Sequence, residues 1–355
     1  MKKIIPIILA AVMLMLTACG NNTLPAPDGS PVPPDVKVTP SPTPTPEPIR
    51  NPLSGEITDK DISSQRPYAV MINNISVAQP LCGISGADIL YEVLAEGEIT
   101  RMMPIFTDIS KAGAAIGSMR SSRPYYIELA QSYDAIYVHA GGSDQAYADI
   151  ASKGINNIDG VRGNSAAAAA FYRDKTRQKY GTEHSLFTSP ERVLEATDKL
   201  AYPKEHSSGS FNYGLSFVEA PDMSAGTAAA TVNVSFGGLK NTDFTYHSDT
   251  GMYTGFQHKS DLIDGNTGKA VEFKNLLVLY AETKILDDYG RRGVNLNGSG
   301  TGHFICNGKT VPITWSHSGT GAAFSYSLSN GQPLELSVGK SYIAVVPTES
   351  VITIQ

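Results

Sequence analysis

Cysteine is scarce in this 355-residue chain, with three in all at positions 19, 82 and 306. Sequence alone cannot bring Cys82 and Cys306 together, so they read as small apolar core side chains rather than a bridge. Positive charge is also in deficit. The formal net charge is −6, which argues against nucleic acid as a partner, because phosphate backbones need a basic face. The seven histidines are scattered, with no H-E-x-x-H and no paired cysteines, so no metal and no cofactor is expected. Asp261, Asp264 and Asn266 lack the closing glutamate of an EF-hand and read as a β-turn. There is no G-x-S-x-G for a serine hydrolase. The Gly-rich Gly298–Gly302 run has no strand–helix setting and reads as a hairpin turn rather than a phosphate loop. No apolar run reaches the ~20 residues that a bilayer span needs.

A shorter apolar run is present. Lys2 and Lys3 precede Ile4 to Leu16, and the run ends in Leu16-Thr17-Ala18-Cys19. A positive n-region, a signal-length h-region and a lipobox thus follow in order. Residues 1–18 are expected to be a cleaved leader, and Cys19 the lipidated first residue of the mature chain. Acyl chains contribute ~0.8 kcal/mol per buried CH₂, so the lipid holds the chain to the outer face of the cell membrane. Loss of the two leader lysines moves the charge to about −8, still the wrong sign for nucleic acid.

Residues 19–54 read as a tether. Eleven of the 22 prolines fall between Pro25 and Pro52. Alternating proline favours the polyproline II conformation at ~3.1 Å per residue, a reach on the order of 100 Å.

Residues 55–205 read as an α/β domain with a mixed sheet. Tyr68–Asn74 suits a buried strand, and Ala87–Leu94 and Ile99–Phe106 flank a hairpin turn at Glu96-Gly97-Glu98. Pro124 opens a helix, Ser143 caps a second that Gly154 ends, and Ser189-Pro190 opens a third. Residues 206–227 read as a junction. Residues 228–355 read as mostly β, with strands at Thr231–Phe236, Phe244–Tyr246, Leu276–Tyr280 and Tyr342–Val346 between Asn-Gly and Thr-Gly turns. The fold class is α+β.

The chemistry concentrates in Ile116-Gly-Ser-Met-Arg120-Ser-Ser-Arg123-Pro-Tyr125. Two arginines three apart, before a helix N-terminus, present guanidinium forks suited to a phosphate or carboxylate. Arg101 on the preceding strand can join them, with Tyr125 and His139 orienting the ligand. The alternative is structural: the arginines pair with Glu92, Glu96, Glu98 or Asp88. His139, where a strand meets a Ser-capped helix, and His184, in Thr182-Glu-His-Ser, are candidate catalytic acid and base; packing roles compete at both.

Arg66–Asn74, Gly86–Glu92, Ile99-Thr-Arg101, the Ile116–Tyr125 cluster, Tyr133–Gly142, His184–Ser189 and Thr267-Gly268 through Asn275 together resemble the YerB-like lipoproteins of Gram-positive bacteria. The resemblance covers nearly all of the chain after the tether. It implies two domains, an envelope location and no established reaction. The chain departs from that pattern at Asn73, Gln79 and Leu262, where aspartate, arginine and histidine are usual. A weaker likeness in element order to LytR–CpsA–Psr glycopolymer ligases implies arginines that grip a pyrophosphate.

The leading expectation is therefore an envelope lipoprotein binding an anionic cell-wall polymer or its precursor through Arg101, Arg120 and Arg123. The alternatives are a hydrolase or transferase acting on envelope glycopolymer, and a protein-binding regulator of wall synthesis.

Overall fold

Strands buried on both faces organise the molecule. Ile89–Leu94, Thr100–Phe106 and Ser341–Pro347 are buried at every residue, which marks a sheet covered on both sides. The computed structural model describes residues 48–319 and 321–355. The leader, Cys19 and most of the tether lie outside the described residues. No described helix is long and apolar enough to cross a membrane.

The main sheet has twelve strands. At its centre Ser341–Pro347 lies parallel to Ile89–Leu94 on one side and to Asn275–Ala281 on the other. Outward from Ile89–Leu94 come Thr100–Phe106, Tyr68–Val70, Ile136–His139 and Asn157–Asp159. Outward from Asn275–Ala281 come Gly298–Cys306, Lys309–His317 and Thr227–Ala228. Strands from before and after residue 205 therefore share one sheet, joined by the strand near the C-terminus. Parallel and antiparallel pairings coexist, as the α+β expectation required.

Successive side chains point to opposite faces of a strand, and the core divides accordingly. Val70, Leu90, Val278 and Ala344 pack on one face with Val232, Phe244, Tyr253 and Phe273 of a six-stranded antiparallel sheet. Ala69, Tyr91, Leu277 and Ile343 pack on the other face with Tyr126, Leu129 and Ala146 of two helices. Those helices are Pro124–Gln131 and Asp144–Ser152. Ser143 Oγ accepts from the Ala146 amide at the start of the second, and Ser189 caps Pro190–Lys199 in the same way.

The hairpin turn forms as expected. The Ala95 amide donates to the Ile99 carbonyl, and Gly97 takes φ +61° at its tip, a conformation glycine adopts without steric cost. The packed chain begins earlier than the expected end of the tether. Asn51 and Leu53 are buried, and Asn51 Nδ2 bonds both Asp88 and Thr107. Cys82 and Cys306 are both free thiols, and burial pushes each up to about 11.

One buried histidine ties the end of the Lys309–His317 strand to the Pro124–Gln131 helix. His317 Nδ1 lies 3.3 Å from Glu128 Oε1 and 3.0 Å from the Leu296 carbonyl, and Nε2 lies 3.1 Å from the Ala322 carbonyl. Burial alone would lower its pKa. Glu128 and the two carbonyls outweigh burial and hold it above 6.5. A folded-state pKa above the unfolded one adds stability that is present below pH ~6.5 and lost as pH rises through the folded pKa. The melting temperature of His317→Gln should therefore fall furthest below wild type at pH 6, and the gap should narrow by pH 9. A gap constant across that range would refute the charged state.

Candidate functional site

The arginine segment is laid across strand ends by backbone pairing. The Asn73 amide donates to the Ser118 carbonyl, the Arg120 amide to Met71, the Ala140 amide to Arg120, and the Ser122 amide to Gly141. Residues 118–122 thus run beside Met71–Asn73 and cross the carboxyl ends of the parallel strands Tyr68–Val70 and Ile136–His139, the usual place for a binding site in a sheet of this kind. Asn73 also faces Arg101 across the antiparallel pair with Thr100–Phe106.

Arg101 and Arg123 converge on one carboxylate. Arg123 reaches Glu96 with Nη2 at 2.6 Å and Nε at 3.1 Å, a two-point fork, and Arg101 Nη2 bonds the same carboxylate. Arg101 Nη1 donates to the Ser121 carbonyl at 2.5 Å and Arg123 Nη1 to that of Ser122 at 2.6 Å. Burial would raise the Glu96 pKa, but Arg101 and Arg123 override it and hold the carboxyl low. Burial, and then the neighbouring Arg123, lower that of Arg101. Of the four acids proposed as structural partners, Glu96 takes that part. Glu92 pairs with Lys240, and Asp88 is held by Asn51 and Thr107.

Arg120 stands apart from that clasp. Its Nη2 lies 2.9 Å from His184 Nδ1 and its Nη1 donates to the Glu183 carbonyl at 3.2 Å. Asn73 Nδ2 approaches the same His184 nitrogen at 3.1 Å. Both neighbours of Nδ1 are donors, so Nδ1 is the acceptor and the ring proton sits on Nε2. Nε2 faces Glu183 Oε1 at 3.4 Å. Burial, and next the positive charge of Arg120, lower the His184 pKa from 6.5, so the ring is neutral at pH 7. Burial, and then Arg101, lower the Arg120 pKa. Arg101 Nη1 bonds the carbonyl of Ser121, the residue that follows Arg120, so the third guanidinium springs from the same segment as the clasp.

The other two expected site residues turn inward. The Tyr125 hydroxyl donates to the Leu94 carbonyl at 2.6 Å, and burial raises its pKa. It fastens the Pro124–Gln131 helix to the hairpin base. His139 is fully buried, with Nδ1 2.8 Å from the Gly141 carbonyl and Nε2 3.2 Å from Asn157 Oδ1. It shapes the 139–142 loop, while Asp159 receives the Gly141, Val161 and Arg162 amides. The arrangement therefore gathers Arg101, Arg120, Arg123 and His184, adds Asn73 and Glu96, and uses Tyr125 and His139 to hold the frame. Of the three departures from the family pattern, Asn73 lies in this cluster, Gln79 bonds Asn74, and Leu262 is in the core. Asp264 is not free for a cation: it receives the Gly83, Ser85 and Asn266 amides and the Ser85 hydroxyl.

The fold and these motifs define a family. Residues 53–203 match the N-terminal domain, and residues 232–343 the C-terminal domain, of the protein of unknown function DUF3048. The chain belongs to this family. It is 28% identical over 302 residues to the Bacillus subtilis (strain 168) protein named "Putative lipoprotein YerB", covering 84% of this chain and 86% of that protein. It also superimposes on the crystal structure of Bacillus subtilis YerB with a TM-score of 0.74 and 25% identity, covering 86% of this chain and 99% of the other.

Proposed function

We propose that this protein is anchored by lipid on Cys19 at the outer face of the cell membrane and binds an anionic group of a cell-wall polymer or its precursor at the 118–123 segment. One observation carries the reading: Arg101 and Arg123 clasp a single carboxylate, Glu96, while Arg120, on the same 118–123 segment, contacts only His184 and a backbone carbonyl. Positive charge in excess, partly removed from water, attracts an anion more strongly than the same charge on an open surface. Arg120 is the docking group, because its hydrogen bonds go to a neutral imidazole and a backbone carbonyl, and the exposed Glu183 carboxylate acts on it only through space. Arg101 and Arg123 supply the field behind it. Tyr125 and His139 fix the backbone that carries them. The lipobox and the lipoprotein description of the relative support the anchor.

A binding role is favoured over a hydrolase or transferase by the state of His184. The lone pair a general base would use, on Nδ1, already accepts from Arg120 and Asn73. The test is calorimetric titration of the full chain, solubilised in detergent, with poly(glycerol phosphate). Arg120→Ala should weaken binding at least tenfold while the melting temperature stays within a few degrees, since no carboxylate loses its partner. Wild-type protein that fails to bind, or a variant that binds equally well, would overturn the reading.

A further inference from the structure

The opposite end of the Ile89–Leu94 strand holds a second concentration of positive charge. A cavity of about 610 Å³ opens beside Asp88 and is lined by Lys111, Lys269, Lys274 and Lys340. Eight residues of extended chain separate Asp88 from Glu96, roughly 26 Å, so this cavity is distinct from the arginine cluster. The four lysines come from four segments and are brought together by close backbone packing. The Lys274 amide donates to the Lys340 carbonyl at 2.9 Å. Gly339, at φ +133°, lets the Lys274 stem pass where an added Cβ would meet it at 2.9 Å. Gly86 sits under Lys111, where a Cβ would lie 2.0 Å from the Lys111 carbonyl oxygen. Neither close approach admits a larger residue.

None of these ammonium groups lies within 4.0 Å of a carboxylate among the described residues. The lysine ion pairs among the described residues belong to Lys199, Lys204, Lys240 and Lys284. Lys274 Nζ donates to the Gly251 carbonyl at 3.1 Å and Lys340 Nζ to that of Ser85. Each ammonium has three donors, so capacity remains on both. Asp88, a buried acid in the lining, accepts from Asn51 and Thr107 instead of forming an ion pair with these lysines. Glu56 and Glu272, both exposed, also line the cavity.

We propose that this cavity is a binding site for a phosphoryl group, held by Lys274 and Lys340 with Lys111 and Lys269 at the rim. Compact ammonium charges approaching from several directions suit a tetrahedral polyoxyanion, whereas a planar carboxylate is better matched by an arginine fork. Lys340 gives the site a pH signature. Burial brings its pKa down to about 8, against the opposing pull of Asp88, Asp264, Glu56 and Glu272. An anion beside it raises that value. Binding then takes up protons near pH 8, is strongest below pH 8, and weakens as pH rises through the bound-state value.

The test is calorimetric titration of the detergent-solubilised full chain carrying Arg120→Ala, so that the arginine site does not contribute. Inorganic pyrophosphate and poly(glycerol phosphate) are the two probes. Binding of pyrophosphate identifies a free phosphate compound as the ligand, and binding of the polymer alone identifies a phosphodiester chain. Lys274→Gln with Lys340→Gln should weaken the bound probe at least tenfold. Glu272→Gln should tighten it severalfold by removing an opposing charge. If the double variant does not fold, Lys269→Gln and Glu272→Gln, both at exposed positions, keep the test alive by moving affinity in opposite directions. Absence of binding at millimolar concentration, or affinity unmoved by these lysine and glutamate changes, would overturn the proposal.

Discussion

Lys240→Met should cost about 3–5 kcal/mol of folding stability, the loss that follows when one partner of a buried ion pair is removed. Glu92 is fully buried and its Oε1 lies 2.8 Å from Lys240 Nζ. The carboxylate also accepts from Asn74, Thr100, Thr242 and Tyr342 at 2.6–3.0 Å. Lys240 Nζ in turn reaches Thr242 and Gln257 at 2.7 Å each. The network fastens the two faces of the core, since Glu92 and Tyr342 lie on the main sheet while Thr242 and Gln257 lie on the six-stranded one. Burial would push the Glu92 pKa up, yet Lys240 and the donors around it hold it below 4.5. Without the ammonium, burial wins and the Glu92 pKa rises. The deficit of the variant should therefore shrink as pH falls through that raised value. Urea unfolding at pH 7 and pH 5 measures both effects. Glu92→Leu combined with Lys240→Met should cost less than Lys240→Met alone, because no lone charge stays buried. A single variant as stable as wild type would mean that water reaches Glu92.

That network is not legible in the sequence, and the reason is physical. Lys240 follows Gly237-Gly238-Leu239, which reads as an exposed turn. Its burial depends on Glu92, about 150 residues away, and nothing local announces such a meeting. The sharing of one sheet by both halves was equally hidden. Tyr342–Val346 was legible as a strand, but its parallel neighbours at 89–94 and 275–281 are chosen by the whole fold. Local signals carried further. Ser143, Pro124 and Ser189 marked helix starts because caps act within one turn, and Glu96-Gly97-Glu98 marked the hairpin because a tip needs a residue tolerant of positive φ. For the site, residue type and spacing flagged Arg120, Arg123 and His184. They could not choose among Glu92, Glu96, Glu98 and Asp88 as the acid partner, because all four lie on one hairpin or its approach. They also gave His139 and Tyr125 a ligand-facing part that burial gives instead to the frame.

Glu96→Ala should lower stability by about 3 kcal/mol and at the same time make the protein respond to added anions. The figure sits at the low end for a broken buried pair, because the Glu96 side chain retains 26% exposure while Arg101 keeps only 6%. With the carboxylate gone, Arg101 and Arg123 face each other with no carboxylate between them, which destabilises the fold. The vacated position is then the best place in the molecule for an external oxyanion. A ligand that binds only the folded state adds stability as RT ln(1 + [L]/Kd), about 2.7 kcal/mol at a hundredfold excess over Kd. Phosphate should therefore raise the melting temperature of Glu96→Ala well above its value in chloride at equal ionic strength, and raise that of wild type much less. Adding Arg123→Ala to Glu96→Ala should remove most of the phosphate response, because the fork that received Glu96 is then missing. Equal responses in wild type and Glu96→Ala would mean that the guanidinium heads rearrange and find backbone carbonyls once Glu96 is lost, and that the clasp is purely structural. A selective response would make Glu96 an internal stand-in for the ligand, one that keeps Arg101 and Arg123 gathered until an anion arrives.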